Sequence, residues 1–299
     1  MKLRLISAMT VAVFALSACS QQPSSAVQPA STQTASTQTV VANMGDHPDF
    51  NGIWQAINTA HWNIEAHSAA PIDQAWQLGA IAAVPAGNSV ITGDGAIPYL
   101  PEALATRDAN RANATALDPE AKCYMLGIPR ATYHNMPFQI FQGEAGDLLM
   151  VYPFAAANRV INMSDFTPPP IDSWMGKSDG VWEGDTLVVK TTGLNEMSWL
   201  DRAGNHHSNQ LKVTERFTLI DKDHLQYEAT LEDPLTYSQP WTLSMPLYRL
   251  IDNNAQLYEH KCVPFADKLL YSDLMGLDAG QSPAATTGQN GVTMPGEKQ

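Results

Sequence analysis

The strongest constraint on the fold is the alternation of apolar and polar residues along 211–220 and 224–232, two runs separated by a turn at 221–223. Alternation with a period of two is typical of strands that bury one face. With Ile220 opposite His224, the apolar pairs are Val213–Leu231, Phe217–Tyr227 and Leu219–Leu225, and the polar pairs are Lys212–Glu232, Thr214–Thr230, Arg216–Glu228 and Thr218–Gln226. The sequence therefore predicts a hairpin whose buried face is interrupted only by Glu215, opposite Ala229.

Similar short runs rich in branched and aromatic residues recur along the rest of the chain, at 137–142, 147–152, 159–163, 186–192 and 241–250. Turn-forming residues separate several of them, at 144–146 and 183–185. This spacing predicts a mainly β fold, an antiparallel barrel or sandwich with a few short helices. Helices are expected at 102–114, with Pro101 in the first position, and at 265–274. The remainder of 55–135 is expected to be irregular.

The first residues have the order of parts of a secretory signal: Lys2 and Arg4, then an apolar run over 5–16. This run is shorter than the roughly 20 residues that a spanning helix needs. Residues 16–19, Leu-Ser-Ala-Cys, resemble the bacterial lipobox. The resemblance implies that residues 1–18 are removed as a signal peptide and that Cys19 is lipidated, and Ser20 favours the outer membrane, facing the periplasm. The alternative is ordinary cleavage near Ala18, which leaves Cys19 as a thiol.

Composition sets the domain boundaries and excludes some partners. Residues 19–46 are rich in Ser, Thr, Gln, Ala and Pro and are expected to form a disordered tether behind the lipidated cysteine, with a disordered tail at 278–299 and a single β-rich domain over 47–277 between them. The formal net charge is −13, and loss of the signal peptide would leave 15 basic against 30 acidic residues. Nucleic acid is therefore excluded as a partner, since binding to phosphates needs clustered basic residues. Contact with a membrane is expected only through the lipid anchor.

The chain contains three cysteines. If Cys19 carries lipid, Cys123 and Cys262 remain as a pair in an oxidising compartment. A disulfide between them is the prediction, and two separate buried thiols are the alternative.

Two resemblances extend this interpretation of the domain. Gly52 and Trp54 form a Gly-x-Trp that resembles the mark at the first strand of lipocalins, which implies a closed ligand-binding barrel. Residues 182–189 and 201–204, together with His207-Ser208, resemble a group of exported bacterial proteins of unknown activity. That second resemblance implies no activity.

The candidate catalytic residues are Asp201, Arg202, His207 and Glu215. His207 would act as general base or acid, since histidine titrates near neutrality, with Asp201 or Glu215 fixing its orientation and Arg202 holding an anionic group. Glu215 should point inward and could carry a proton. The alternatives are a polar loop that is tied down by its own hydrogen bonds and a buried Glu215 that is paired with an arginine such as Arg130 or Arg249.

The candidate ligand-binding residues are Trp54, His61, Trp62, His206, Tyr227 and Trp241, although such residues also commonly pack over the end of a sheet. No metal or cofactor is expected, because the sequence contains neither a zinc-binding spacing nor a phosphate loop. The sequence thus predicts a lipid-anchored periplasmic protein with a site for a small-molecule ligand or substrate, either an acid/base enzyme of unknown reaction, a lipocalin-like carrier or a structural envelope lipoprotein. The oligomeric state is left open.

Overall fold

The computed structural model describes residues 43–71, 83–144 and 146–266. The expected signal peptide, Cys19, most of the tether, the tail and all but the start of the helix at 265–274 lie outside these residues. Within them, no helix is long and apolar enough to cross a bilayer.

Nine strands close into a barrel, which confirms the mainly β prediction and selects the barrel over the sandwich. The strands are β3 (Gly52–Ala56), β6 (Phe138–Phe141), β7 (Leu148–Tyr152), β8 (Ala157–Asn162), β9 (Lys177–Glu183), β10 (Thr186–Thr192), β11 (Lys212–Asp221), β12 (His224–Glu232) and β13 (Trp241–Arg249). Their order around the barrel is β10-β11-β12-β13-β3-β6-β7-β8-β9. Neighbours are antiparallel except β8 and β9, which pair in parallel at Ile161–Ser178 and Asn162–Asp179.

The smaller elements lie outside the barrel. Two short two-stranded sheets pair β1 (Asn43–Met44) with β2 (His47–Pro48) and β4 (Ala70–Pro71) with β5 (Ala83–Val84). Helix α1 (Pro101–Ala112) begins at the expected proline but ends two residues before the predicted boundary, and the single turn of α2 (Ala114–Leu117) follows it. Short 3₁₀ turns occur at Arg130–Tyr133 and Phe154–Ala156.

The β11–β12 hairpin has the register that the alternation predicts, from Lys212 opposite Glu232 to Leu219 opposite Leu225. Its turn end differs, because the register shifts between Leu219 and Asp221 and it is Asp221 that faces His224. The prediction that Ile220 faces His224 was therefore wrong. Ile220 is instead bulged out and 58% exposed.

Side chains fill the interior of the barrel. The buried residues include Trp54, Phe138, Ile140, Met150, Ile161, Leu187, Val213, Phe217, Tyr227, Leu243 and Leu247. Strand β9 contributes small groups there, and a Cβ atom on Gly180 would lie 2.5 Å from Cγ2 of Ile161. The hydrophobic core of the protein therefore occupies the interior of the barrel.

The segment between β5 and α1 runs beside β13 and positions the helix. The amide of Thr92 donates to the carbonyl of Thr242, and the amide of Leu100 donates to the carbonyl of Thr236, each at 2.9 Å. Farther along the chain, Cys123 and Cys262 form a disulfide with a sulfur–sulfur distance of 2.01 Å, which confirms that prediction. The bond links the stretch before β6 to the segment after β13.

Candidate functional site

The connection between β10 and β11 is a long loop, residues 193–211, that is organised around the carboxylate of Asp201. This carboxylate is fully buried and accepts hydrogen bonds from the amides of Ile64, at 2.9 Å, and Ala203, at 2.9 Å. Asn205 donates two more, from its amide at 3.2 Å and from Nδ2 at 2.6 Å. Burial raises the pKa of Asp201 to about 6, against the opposing effect of these hydrogen bonds. Asp201 thus holds the loop together and is enclosed by it.

The same loop packs tightly on α1. Gly204 has a φ of +85°, and a Cβ atom there would lie 2.7 Å from the amide nitrogen of Arg111. Glycine is needed at this position both for the backbone angle and for the close approach. Nδ2 of Asn110 donates to the carbonyl of Gly204 at 3.3 Å, and Nε of Arg111 donates to that of Ala203 at 3.0 Å.

A cleft of about 490 Å³ opens between α1, this loop and the turn after β12. We call it the α1 cleft. Helix α1 contributes Glu102, Ala103, Thr106 and Asn110, the loop contributes Glu196, Trp199, His206, His207 and Ser208, and the turn contributes Leu235 and Thr236. Two of the predicted site residues, His206 and His207, therefore meet at one concave surface.

His207 is only 2% exposed, and its ring has a defined tautomer. Nδ1 lies 2.9 Å from the carbonyl oxygen of Ser208, and because a carbonyl only accepts, Nδ1 carries the hydrogen. Nε2 then accepts the hydroxyl hydrogen of Ser198 at 2.8 Å. Burial lowers the pKa of His207, so the ring is neutral at pH 7.

His206 stacks on Tyr99, with ring centroids 5.7 Å apart and an angle of 16° between the planes. Burial, and then the neighbouring His207, lowers its pKa to about 4. Its Nδ1 atom is buried. Tyr237 fixes the adjacent backbone, because its hydroxyl donates to the carbonyl of His206 at 2.8 Å.

Arg202 lies in a separate charged cluster with Glu120, Arg130 and Asp118. Arg202 donates to Glu120 through Nε, at 2.9 Å, and also through Nη2. Arg130 donates to both oxygens of Asp118, at 3.0 and 3.1 Å, and to Glu120 at 2.5 Å. Burial alone would raise the pKa of Glu120, but Arg130 and Arg202 hold it well below its usual range. The guanidinium of Arg202 is thus already occupied by a carboxylate of the protein.

His61 and Trp62, two of the predicted ligand-binding residues, belong to this cluster. The guanidinium of Arg202 lies 4.3 Å from the ring centre of Trp62. Burial, and then the charge of Arg202, lowers the pKa of His61 to about 3. His134 joins them, with Nε2 3.2 Å from Oε1 of Glu120.

Glu215 points inward, as predicted, but its hydrogen-bond partners are Arg159 and Tyr227 and not His207. It forms an ion pair with Arg159 across the barrel interior, with distances of 2.6 Å from Nη1 to Oε2 and 3.2 Å from Nη2 to Oε1. The hydroxyl of Tyr227 donates to Oε1 at 2.8 Å. The alternative that a buried Glu215 pairs with an arginine is therefore confirmed. The arginine is neither of the two named as examples, because Arg130 binds Asp118 and Glu120, and Arg249 lies 4.2 Å from the ring centre of Trp54.

The remaining predicted aromatic residues serve packing. Trp54 is fully buried, and its indole donates to the carbonyl of Phe50 at 2.9 Å. Tyr227 lies inside the barrel beside Glu215, and Trp241 packs edge-on against Tyr237, with centroids 5.4 Å apart. The predicted residues therefore divide among the barrel interior, the charged cluster and the α1 cleft, whose volume is about 490 Å³.

Sequence analysis missed Ser198, Glu102, Glu196 and Asp233. Asp233 lies behind the cleft, where its carboxylate accepts from the amide and the hydroxyl of Ser208, at 2.6 and 2.8 Å. No local motif marks these four residues, and they come together only when α1 and the loop pack. In the part of the chain that the structure describes, no group of three or more His, Cys, Asp or Glu side chains could hold a metal ion.

The fold is a closed β-barrel with a surface cleft beside one loop. Comparison of the chain with family models, with curated protein sequences and with solved structures found no match. Function is therefore argued from the geometry of the cleft.

Proposed function

We propose that this chain is a lipid-anchored envelope protein that binds a small molecule in the α1 cleft. The observation that carries the proposal is the cleft itself, because its volume of about 490 Å³ lies in the range of small-molecule sites, roughly 300–1,000 Å³. Its lining combines apolar groups, Trp199 and Leu235, with polar groups, His206 and Ser208. The attachment through Cys19 at the periplasmic face of the outer membrane rests on the lipobox resemblance.

The filled barrel favours this surface site over a carrier of the lipocalin type. A carrier of that kind holds its ligand inside the barrel. Here Trp54, Phe217 and Tyr227 are fully buried inside, and the Arg159–Glu215 pair crosses the interior. A ligand could enter only by displacing the core.

The test is a metabolite screen by thermal shift on the purified full-length protein and on its Thr106→Trp variant. Thr106 is exposed and lines the cleft, so a tryptophan there fills the cleft without changing the core. Ala105→Trp, on the same helix but outside the lining, is the matched control. Ligands that stabilise the wild type and Ala105→Trp but not Thr106→Trp support the proposal. Ligands that stabilise all three proteins equally, or a library without any ligand, contradict it.

A second candidate function is acyl transfer, favoured by the hydrogen bond from the hydroxyl of Ser198 to Nε2 of His207. In such a reaction Ser198 Oγ attacks the carbonyl carbon of an ester while Nε2 takes the hydroxyl proton. The bond from that carbon to the alcohol oxygen then breaks, and the alcohol leaves with the proton from Nε2. Ser198 is only 1% exposed, so the cleft wall must open for a substrate to reach it. A fluorophosphonate probe that labels the wild type but not Ser198→Ala supports this function, and an unlabelled wild type rules it out.

A further inference from the structure

The charges around the α1 cleft are unbalanced. Glu102 is contributed by the first turn of α1, and Glu196 by the loop after β10, so the two carboxylates come from separate elements. Neither forms a salt bridge with any residue that the structure describes. Among the described residues that line the cleft there is no Lys or Arg.

A third carboxylate, that of Asp233, adds to the negative charge of the cleft from behind the cleft wall. Asp233 is 3% exposed, and its partners are the amide and hydroxyl of Ser208 and the amide of Leu235, all of them neutral groups. Its negative charge is therefore not cancelled by a neighbouring cation. A carboxylate in partly buried surroundings acts over a longer range than one in bulk water.

The nearby basic side chains are already engaged. Arg107, on α1, is paired with Glu65 at 3.1 Å and with Asp108 at 2.7 Å. Arg111 donates to the carbonyl of Ala203, outside the cleft lining. Both cleft histidines are neutral at pH 7, since burial lowers the pKa of each, and they add no positive charge.

The lining also supplies an apolar surface. Leu235 is 63% exposed and stands at the cleft beside Trp199 and Ala103. A ligand that fits must therefore combine an apolar body with a polar group that suits carboxylates.

From these observations, and resting on the proposed function, we infer that the occupant of the α1 cleft is a small organic cation, an amine or ammonium compound with an apolar body. The cationic group lies against Glu102 and Glu196, and the body lies against Trp199 and Leu235. An anionic ligand of equal size would meet three carboxylates with no compensating base.

Three probes of nearly the same shape separate charge from shape: benzylamine, which is cationic at pH 7, benzyl alcohol, which is neutral, and benzoate, which is anionic. Their dissociation constants are measured by ligand-observed NMR in low-salt buffer on the disulfide-bonded full-length protein. We expect benzylamine to bind about 5- to 20-fold more tightly than benzyl alcohol, and benzoate to bind most weakly, if exposed pairs each contribute roughly 2- to 5-fold. Added salt should weaken only benzylamine, through screening.

Variants then locate the effect. Glu196→Gln and Glu102→Gln should each weaken benzylamine binding roughly 2- to 5-fold and leave benzyl alcohol unchanged. Glu144→Gln is the matched control, because Glu144 is an exposed carboxylate in the turn between β6 and β7. Equal binding of all three probes, tighter binding of benzoate, or the absence of benzylamine binding would overturn the inference. Where neutral or anionic compounds bind and Thr106→Trp abolishes their binding, the proposed function stands while the cationic class fails.

Discussion

The buried ion pair between Arg159 and Glu215 allows the sharpest test of how this barrel is stabilised. Arg159 is 2% exposed and Glu215 is fully buried, and two hydrogen bonds join them. Removal of one partner leaves an uncompensated charge in the interior, which costs about 3–5 kcal/mol. Since domains of this size are stable by about 5–15 kcal/mol, Arg159→Met alone should remove a large part of the free energy of unfolding.

The double variant Arg159→Met with Glu215→Gln separates the charge from the packing. The glutamine carbonyl can still accept from Tyr227, whose hydroxyl lies 2.8 Å from Oε1 of Glu215, and no buried charge remains. We expect the double variant to be about 2 kcal/mol or more closer to wild type than the sum of the single changes predicts.

The assay is urea unfolding followed by circular dichroism, on the wild type, both single variants and the double variant. If a single variant does not fold, the double variant should restore the folded spectrum. A cost below about 1 kcal/mol for Arg159→Met, or simple additivity of the two changes, would refute a charge-dominated role for the pair. Because the pair lies inside the barrel, the double variant should also bind ligands of the α1 cleft as the wild type does.

Two further predictions concern stability. The double change Cys123→Ser and Cys262→Ser should lower the free energy of unfolding by about 2–5 kcal/mol in urea, because the bond joins residues 139 apart in sequence, and unchanged stability would contradict a role for the cross-link. His61, whose pKa falls from 6.5 to about 3 on folding, favours the folded state above pH 6.5 and loses that contribution as the pH falls toward 3. Between pH 7.5 and 5 the free energy of unfolding of the wild type should therefore fall by about 2 kcal/mol more than that of His61→Phe. Asp201, whose pKa is raised to about 6, has the opposite effect, but it is present in both proteins and cancels in the comparison. Parallel pH profiles of the two proteins would contradict the burial argument.

The strands that sequence analysis found are those rich in branched and aromatic residues, with alternation clearest in β11, β12 and β13. Strands β10 and β12 have the predicted bounds, and the β11–β12 register follows from pairing the apolar faces. Strand β9 escaped prediction because its inward positions include Ser178 and Gly180, small residues that leave room for Ile161 and Leu187. Small inward residues that fit the side chains of neighbouring strands do not produce an apolar alternation, so the sequence of such a strand does not identify it as a strand.

The candidate site was only partly predictable for a related reason. The loop at 199–208 stands out by its composition, and two of its residues, His206 and His207, do line the cleft. The other wall is α1, which is about 100 residues away in sequence and is placed by the hydrogen bond from Leu100 to Thr236. Arg202, in the same loop, turns instead to Glu120. Neighbouring residues in a loop can thus face different surroundings, which composition does not reveal.

The sequence by itself determined the period-two pattern of the hairpin, its register from Lys212–Glu232 to Leu219–Leu225 and the inward position of Glu215, because these depend only on the alternation. Only the tertiary structure decided that Glu215 meets Arg159, that Arg202 is neutralised by Glu120, and that α1 and the loop border an open cleft. The physical reason is that these contacts join residues far apart in the chain, which are brought together by closure of the barrel and the packing of α1 against it.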